Sequence, residues 1–106
     1  MSTLIGRFWF KRTSNGNLVG EFSNNKGKSI STESADLIES VETFEGKYHT
    51  SWQEKEKGSF AILNIAIKPN TKTIYSLVWS DKKGKTIFLG EAMLHEDMLI
   101  GDYQGV

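Results

Sequence analysis

The sequence predicts an all-β fold, an antiparallel up-and-down barrel of about eight short strands, on three observations. Apolar and polar residues alternate with a period of two in one run after another, the pattern of half-buried strands. Short polar turns join the runs, with none of the long crossovers that parallel pairing requires. A glycine stands two residues before an aromatic or small residue in Gly6-Arg7-Phe8, Gly20-Glu21-Phe22, Gly46-Lys47-Tyr48, Gly90-Glu91-Ala92 and Gly101-Asp102-Tyr103. Mid-strand glycine gives up packing, so its repetition implies strands that bend sharply or approach another backbone closely. A small closed barrel needs both.

The first run, residues 4–12, sets Leu4, Gly6, Phe8 and Phe10 against Ile5, Arg7, Trp9 and Lys11, which points Phe8 and Phe10 inward. The turn Ser14-Asn15-Gly16-Asn17 holds an Asn-Gly pair that tolerates positive φ and folds Leu18 to Ser23 back as a hairpin. Asn24 to Lys28 is a second turn of the same chemistry. Residues 29–43 admit two readings. Leu37, Ile38, Val41 and Phe44 have helical spacing, and Glu33, Asp36, Glu39 and Glu42 recur every three residues, which fits one short amphipathic helix near 33–42. The Ser, Thr, Ile and Val content, and the need for a strand to return from the 24–28 turn, favour a bent strand.

The clearest alternation runs from Thr43 to Trp52, with Phe44, Gly46, Tyr48, Thr50 and Trp52 opposing Glu45, Lys47, His49 and Ser51. Gln53 to Gly58 is a charged turn. In Ser59 to Lys68 both rows are largely apolar, Ala61, Leu63, Ile65 and Ile67 on one side and Phe60, Ile62 and Ala66 on the other, which suggests a strand covered on both faces. Pro69, the only proline, sits in a turn outside any ladder it would break. Tyr75, Leu77 and Trp79 alternate with Ile74, Ser76 and Val78, Ser80 to Lys85 turns the chain, and Thr86 to Leu94 and Met98 to Tyr103 close the series.

Length and charge narrow the function classes. The 106 residues fit one domain, 1–106, with one core. Thirteen Lys plus Arg balance thirteen Asp plus Glu, so no global field draws in DNA, RNA or an anionic membrane, and no nucleic-acid partner is expected. The absence of cysteine removes disulfides, thiolate metal sites and thiol catalysis. Met1 to Arg7 shows no basic segment followed by a long apolar one, so neither signal peptide nor membrane span is expected and the reading is cytoplasmic.

Gly6-Arg7-Phe8-Trp9 on the first strand, with the succession of short hairpins after it, resembles the lipocalin and avidin group of small antiparallel barrels. The lipocalin signature is Gly-x-Trp. Here phenylalanine stands at the tryptophan position, and Trp9 faces away from Phe8 in an ideal strand. The arginine that lipocalins place near the last strand has no counterpart in Leu99 to Tyr103. The resemblance implies a lipocalin-like barrel, which at eight strands is just wide enough to be filled by its own side chains or to hold one small ligand.

No catalytic constellation stands out. His49 and His95 have no second histidine or cysteine at ligand spacing, Glu96-Asp97 reads as a solvated turn, and the serines lack a Gly-x-Ser-x-Gly elbow, so no enzyme activity, metal or cofactor is expected. With Phe88, Gly90 and Ala92 inward, Glu91 is solvated and Leu89 and Met93 become exposed apolar residues able to support a homodimer. The expected ligand-binding set is Phe8, Phe22, Phe44, Tyr48, Trp52, Asn64, Tyr75, Trp79 and Tyr103, with Asn64 either an internal hydrogen-bonding group or an outward one. Two functions fit these residues: a pocket for a small apolar or amphipathic molecule, or a solid core whose outer surface serves as a dimeric interaction or regulatory module.

Overall fold

Alternation along each run produces eight strands: β1 (Ile5–Arg12), β2 (Leu18–Asn24), β3 (Ser31–Leu37), β4 (Gly46–Glu54), β5 (Lys57–Ile67), β6 (Ile74–Ser80), β7 (Thr86–His95) and β8 (Met98–Gly105). They are seen in a computed structural model of the chain, which describes residues 3–27, 29–39, 43–54 and 57–106. Each strand pairs antiparallel with the next, and β8 pairs with β1, so the meander is a closed barrel in which no strand of the ring is left with a bare edge. No helix occurs among the described residues.

The helix reading of 33–42 is overturned where the chain is described. Ser31–Leu37 is β3, pairing Leu18 with Ala35 on one side and Leu37 with Tyr48 on the other, while residues 40–42 lie outside the described set. The reason is the ladder. A helix here would leave the hydrogen-bonding edges of β2 and β4 bare, whereas a strand satisfies both. Glu33 and Asp36, three residues apart, therefore point to opposite sides of the wall.

A second correction concerns β5. The wall is one sheet thick, so the row of Ala61, Leu63, Ile65 and Ile67 meets the core, while Phe60 and Ala66 on the other row are exposed. Asn64 shares their outward side, opposite Lys47 and Val78, because its buried neighbours Leu63 and Ile65 leave it no other direction. The charged turn expected over Gln53 to Gly58 is shorter, because Gln53 pairs with Gly58 and Glu54 with Lys57 in the β4–β5 ladder and residues 55–56 lie outside the described set; the other turns are close to expectation. Gly16 and Gly84 take φ of +84°, and Asn70 and Glu96 also adopt positive φ.

Interior packing depends on glycine standing opposite a ring. Gly20 lies across from Phe10, Gly101 across from Phe8, and Gly6 across from Tyr103. A Cβ at Gly20 would run into the carbonyl oxygen of Trp9, one at Gly101 into that of Glu91, and one at Gly6 into the Tyr103 ring. Glycine lets the neighbouring backbone close in and the ring lie over it. One end of the barrel is filled this way by Phe10, Leu18, Tyr48, Leu63, Leu77 and Leu99, all fully buried. There Phe44 packs on Tyr75 with ring centroids 6.4 Å apart, and the Tyr48 hydroxyl donates to the Phe44 carbonyl at 2.6 Å.

Gly101→Ala is expected to destabilise the protein by about 1–3 kcal/mol, because the obstructing atom is backbone and cannot swing away. Gly27→Ala, where an added Cβ reaches nothing nearer than Asn24 Oδ1 at 3.9 Å, should stay within about 0.5 kcal/mol. Urea unfolding midpoints of the two variants check the contrast, and equal midpoints would contradict it.

Candidate functional site

At the end of the barrel opposite Phe44, beside the connections after β2 and β6, the inward residues change character. Phe8 of β1, Phe22 and Asn24 of β2, Glu33 of β3, Trp52 of β4, Trp79 of β6, Phe88 of β7 and Tyr103 of β8 line a cleft. Each arrives by alternation: Trp79 and Phe88 are cross-strand partners, Phe8 pairs with Phe22, and Glu33 stands between Gly20 and Trp52. The rings interlock edge to face. Phe22 contacts Trp52 at 6.4 Å, Trp52 contacts Phe88 at 6.1 Å, Phe88 contacts Tyr103 at 5.6 Å and Tyr103 returns to Phe22 at 6.3 Å, a closed circuit of four rings. Phe8 and Trp79 pack beneath it at 5.6 Å.

Glu33 is the unexpected member. It is 6% exposed, and its Oε2 accepts hydrogen bonds from the Thr50 hydroxyl and, at 3.0 Å, from Trp79 Nε1. Burial pushes its carboxyl above the usual glutamate range, and the two hydrogen bonds pull it part of the way back. Among the described residues no hydrogen bond reaches Oε1 and no cationic side chain pairs with Glu33. Near the rim, Asn24 Nδ2 donates to the Tyr103 hydroxyl at 3.0 Å. The turns after β2 and β6, at this end of the barrel, carry the exposed Lys26, Lys82, Lys83 and Lys85.

The cleft measures about 20 Å³. That is the space of one or two water-sized groups, far below the roughly 300 Å³ at which small-molecule pockets begin, so the barrel is filled along most of its length.

Of the residues singled out from sequence, Phe8, Phe22, Trp52, Trp79 and Tyr103 come together at the cleft. Phe44, Tyr48 and Tyr75 belong to the packed opposite end, and Asn64 lies outside. Burial raises the pKa of both Tyr48 and Tyr75, consistent with structural rings. Sequence reasoning missed Glu33, Asn24 and Phe88 as site residues. Phe88 shares the inward row with Gly90 and Ala92, and following Ser31, Glu33, Ala35 and Leu37 as one row of a strand would have placed the carboxyl inside.

His49, His95 and Glu91 are exposed, with Glu91 paired to Lys68 Nζ at 2.6 Å. No group of three or more His, Cys, Asp or Glu among the described residues is placed to hold a metal ion. Comparison with family models, with curated proteins and with solved structures returned no match.

The buried carboxyl generates a pH-dependent stability. Its folded pKa lies above the ordinary value of 4.5, so its contribution is complete below that value and is lost as pH rises through the folded pKa. The stability advantage of the wild type over Glu33→Gln should therefore be greatest in acid and shrink as pH rises. Chemical denaturation from about pH 4 to about pH 9 measures it, and an advantage that grows with pH would show the carboxylate to be the favoured buried form.

Proposed function

We propose that this chain is a non-enzymatic binding protein that takes the end of a small amphipathic molecule into the cleft around Glu33. The observation that carries the reading is a carboxyl group held inside an aromatic wall with one oxygen bonded and the other turned to no described partner. A buried carboxyl is costly, and the same position filled by an apolar residue would pack the barrel at less expense. A ligand that uses the group gives it a purpose. The half-buried rings of Phe22, Trp52 and Phe88 form the rim against which the apolar part of such a molecule would lie. The size of the cleft means that only a terminal group enters and that the remainder stays at the rim.

A second reading rests on the outer face of β6, β7, β8 and β1. Register aligns Val78, Leu89, Gln104 and Ile5 in one row and Ile74, Met93, Ile100 and Trp9 in another, with Ser76, Glu91, Asp102 and Arg7 between them. Ile5 and Met93 are 56% and 58% exposed, and Asp102 stands beside Arg7, so a second copy related by a two-fold axis would meet both apolar rows and an opposite charge. This face suits a homodimer.

Trp52 and Trp79 report on the first reading. Amphipathic ligands of the right end group should change tryptophan emission and raise the thermal midpoint, and Trp52→Ala should weaken them about tenfold. A broad panel of small amphiphiles that alters neither signal would refute cleft binding. For the second reading, sedimentation at high concentration should give a dimer that Met93→Glu converts to monomer, and a monomer at every concentration would exclude it.

A further inference from the structure

We infer that the end group taken by the cleft is a primary ammonium, with Glu33 Oε1 as its acceptor and the surrounding rings as its wall. The inference rests on the proposed cleft binding and names its ligand class. Three features of the site select this chemistry. The carboxyl has no described cation beside it, so a ligand that brings one favours its ionised form and supplies the counter-charge that form needs. Phe22, Trp52, Phe88 and Tyr103 close a circuit of rings around the opening, and aromatic rings attract a cation through their π faces while disfavouring an anion. The third feature is size. About 20 Å³ suits the nitrogen of an ammonium better than a quaternary head with its four carbon substituents.

The lysines at this end of the barrel act in the other direction, and magnitudes decide between them. Lys26, Lys82, Lys83 and Lys85 are exposed at turn tips, where water and salt screen their charge over about 8–10 Å. Glu33 would meet the ammonium in direct contact and out of water, where an ionic hydrogen bond is several-fold stronger than a surface interaction. The contact prevails. The lysines then lower the affinity for a cation at low ionic strength and lose that effect as salt is added.

The test uses the full chain and four probes of similar shape: 2-phenylethylamine, 2-phenylethanol, 3-phenylpropionate and phenyltrimethylammonium, followed by tryptophan emission and thermal midpoint. The amine should bind at least about tenfold tighter than the other three. Glu33→Gln should bring the ratio of amine to alcohol affinity close to one. Raising the salt from about 20 to about 500 mM should leave amine binding unchanged or stronger.

If the alcohol or the acid matches the amine, the ammonium assignment is overturned while cleft binding stands. A quaternary probe that matches the amine overturns the primary-ammonium assignment in favour of a wider aromatic cage. Several-fold weakening by salt would place the cation on exposed carboxylates instead and overturn it as well. If no probe binds at about 10 mM, cleft binding and its ligand class fail together for this shape of ligand. Should Glu33→Gln not fold, the four-probe comparison on the wild type decides the question alone.

Discussion

Closure of a narrow ring of eight strands is the constraint on which everything else depends, and along β1 and its neighbours it is met by placing glycine opposite a large ring. Phe10 over Gly20, Phe8 over Gly101 and Tyr103 over Gly6 are three instances of one solution. The glycine removes the Cβ that would strike the next backbone, and the ring covers the space so gained. The rings are consequently held by backbone geometry as well as by one another, which gives the cleft a rigid floor.

The two ends of the barrel use similar rings differently. Beside Phe44 and Tyr75, the Tyr48 hydroxyl is turned back into the protein and donates to the Phe44 carbonyl. At the other end Thr50 and Trp79 bond Glu33 Oε2, while Oε1, with no described protein partner, is reached from the opening, since no buried side-chain polar atom among the described residues lacks a partner. The first arrangement is what a core does with aromatic residues. The second leaves a strong acceptor facing an opening, at a cost in stability that an inert core would not carry. This asymmetry separates the end proposed to bind a ligand from the packed end.

The lipocalin-like likeness is one of architecture. The closed eight-strand meander is consistent with that group without being specific to it, and Phe8 lines the cleft while Trp9 sits half-buried on the outside. The open calyx of a ligand carrier is not shared, since side chains occupy the interior down to a cleft of about 20 Å³. Fold alone therefore chooses neither ligand nor activity, and the functional reading has to come from Glu33 and its neighbours.

Alternation, turn chemistry and glycine spacing determined the strands, their antiparallel order and the inward direction of Phe8, Phe10, Tyr48, Leu63, Leu77 and Trp79, because a period of two is a local property that a one-dimensional string records. Closure of the ring is not recorded there and came only with the pairing of β8 to β1. Tertiary structure alone decided the rest. Glu33 carries the same letter whether it lies on a wet helix or inside a barrel, and only pairing of β3 between β2 and β4 turned it inward. Likewise, aromatic residues from six strands look equivalent in sequence, and the register between strands separated those that fill the core from those that frame an opening, since neighbours across a ladder lie far apart along the chain.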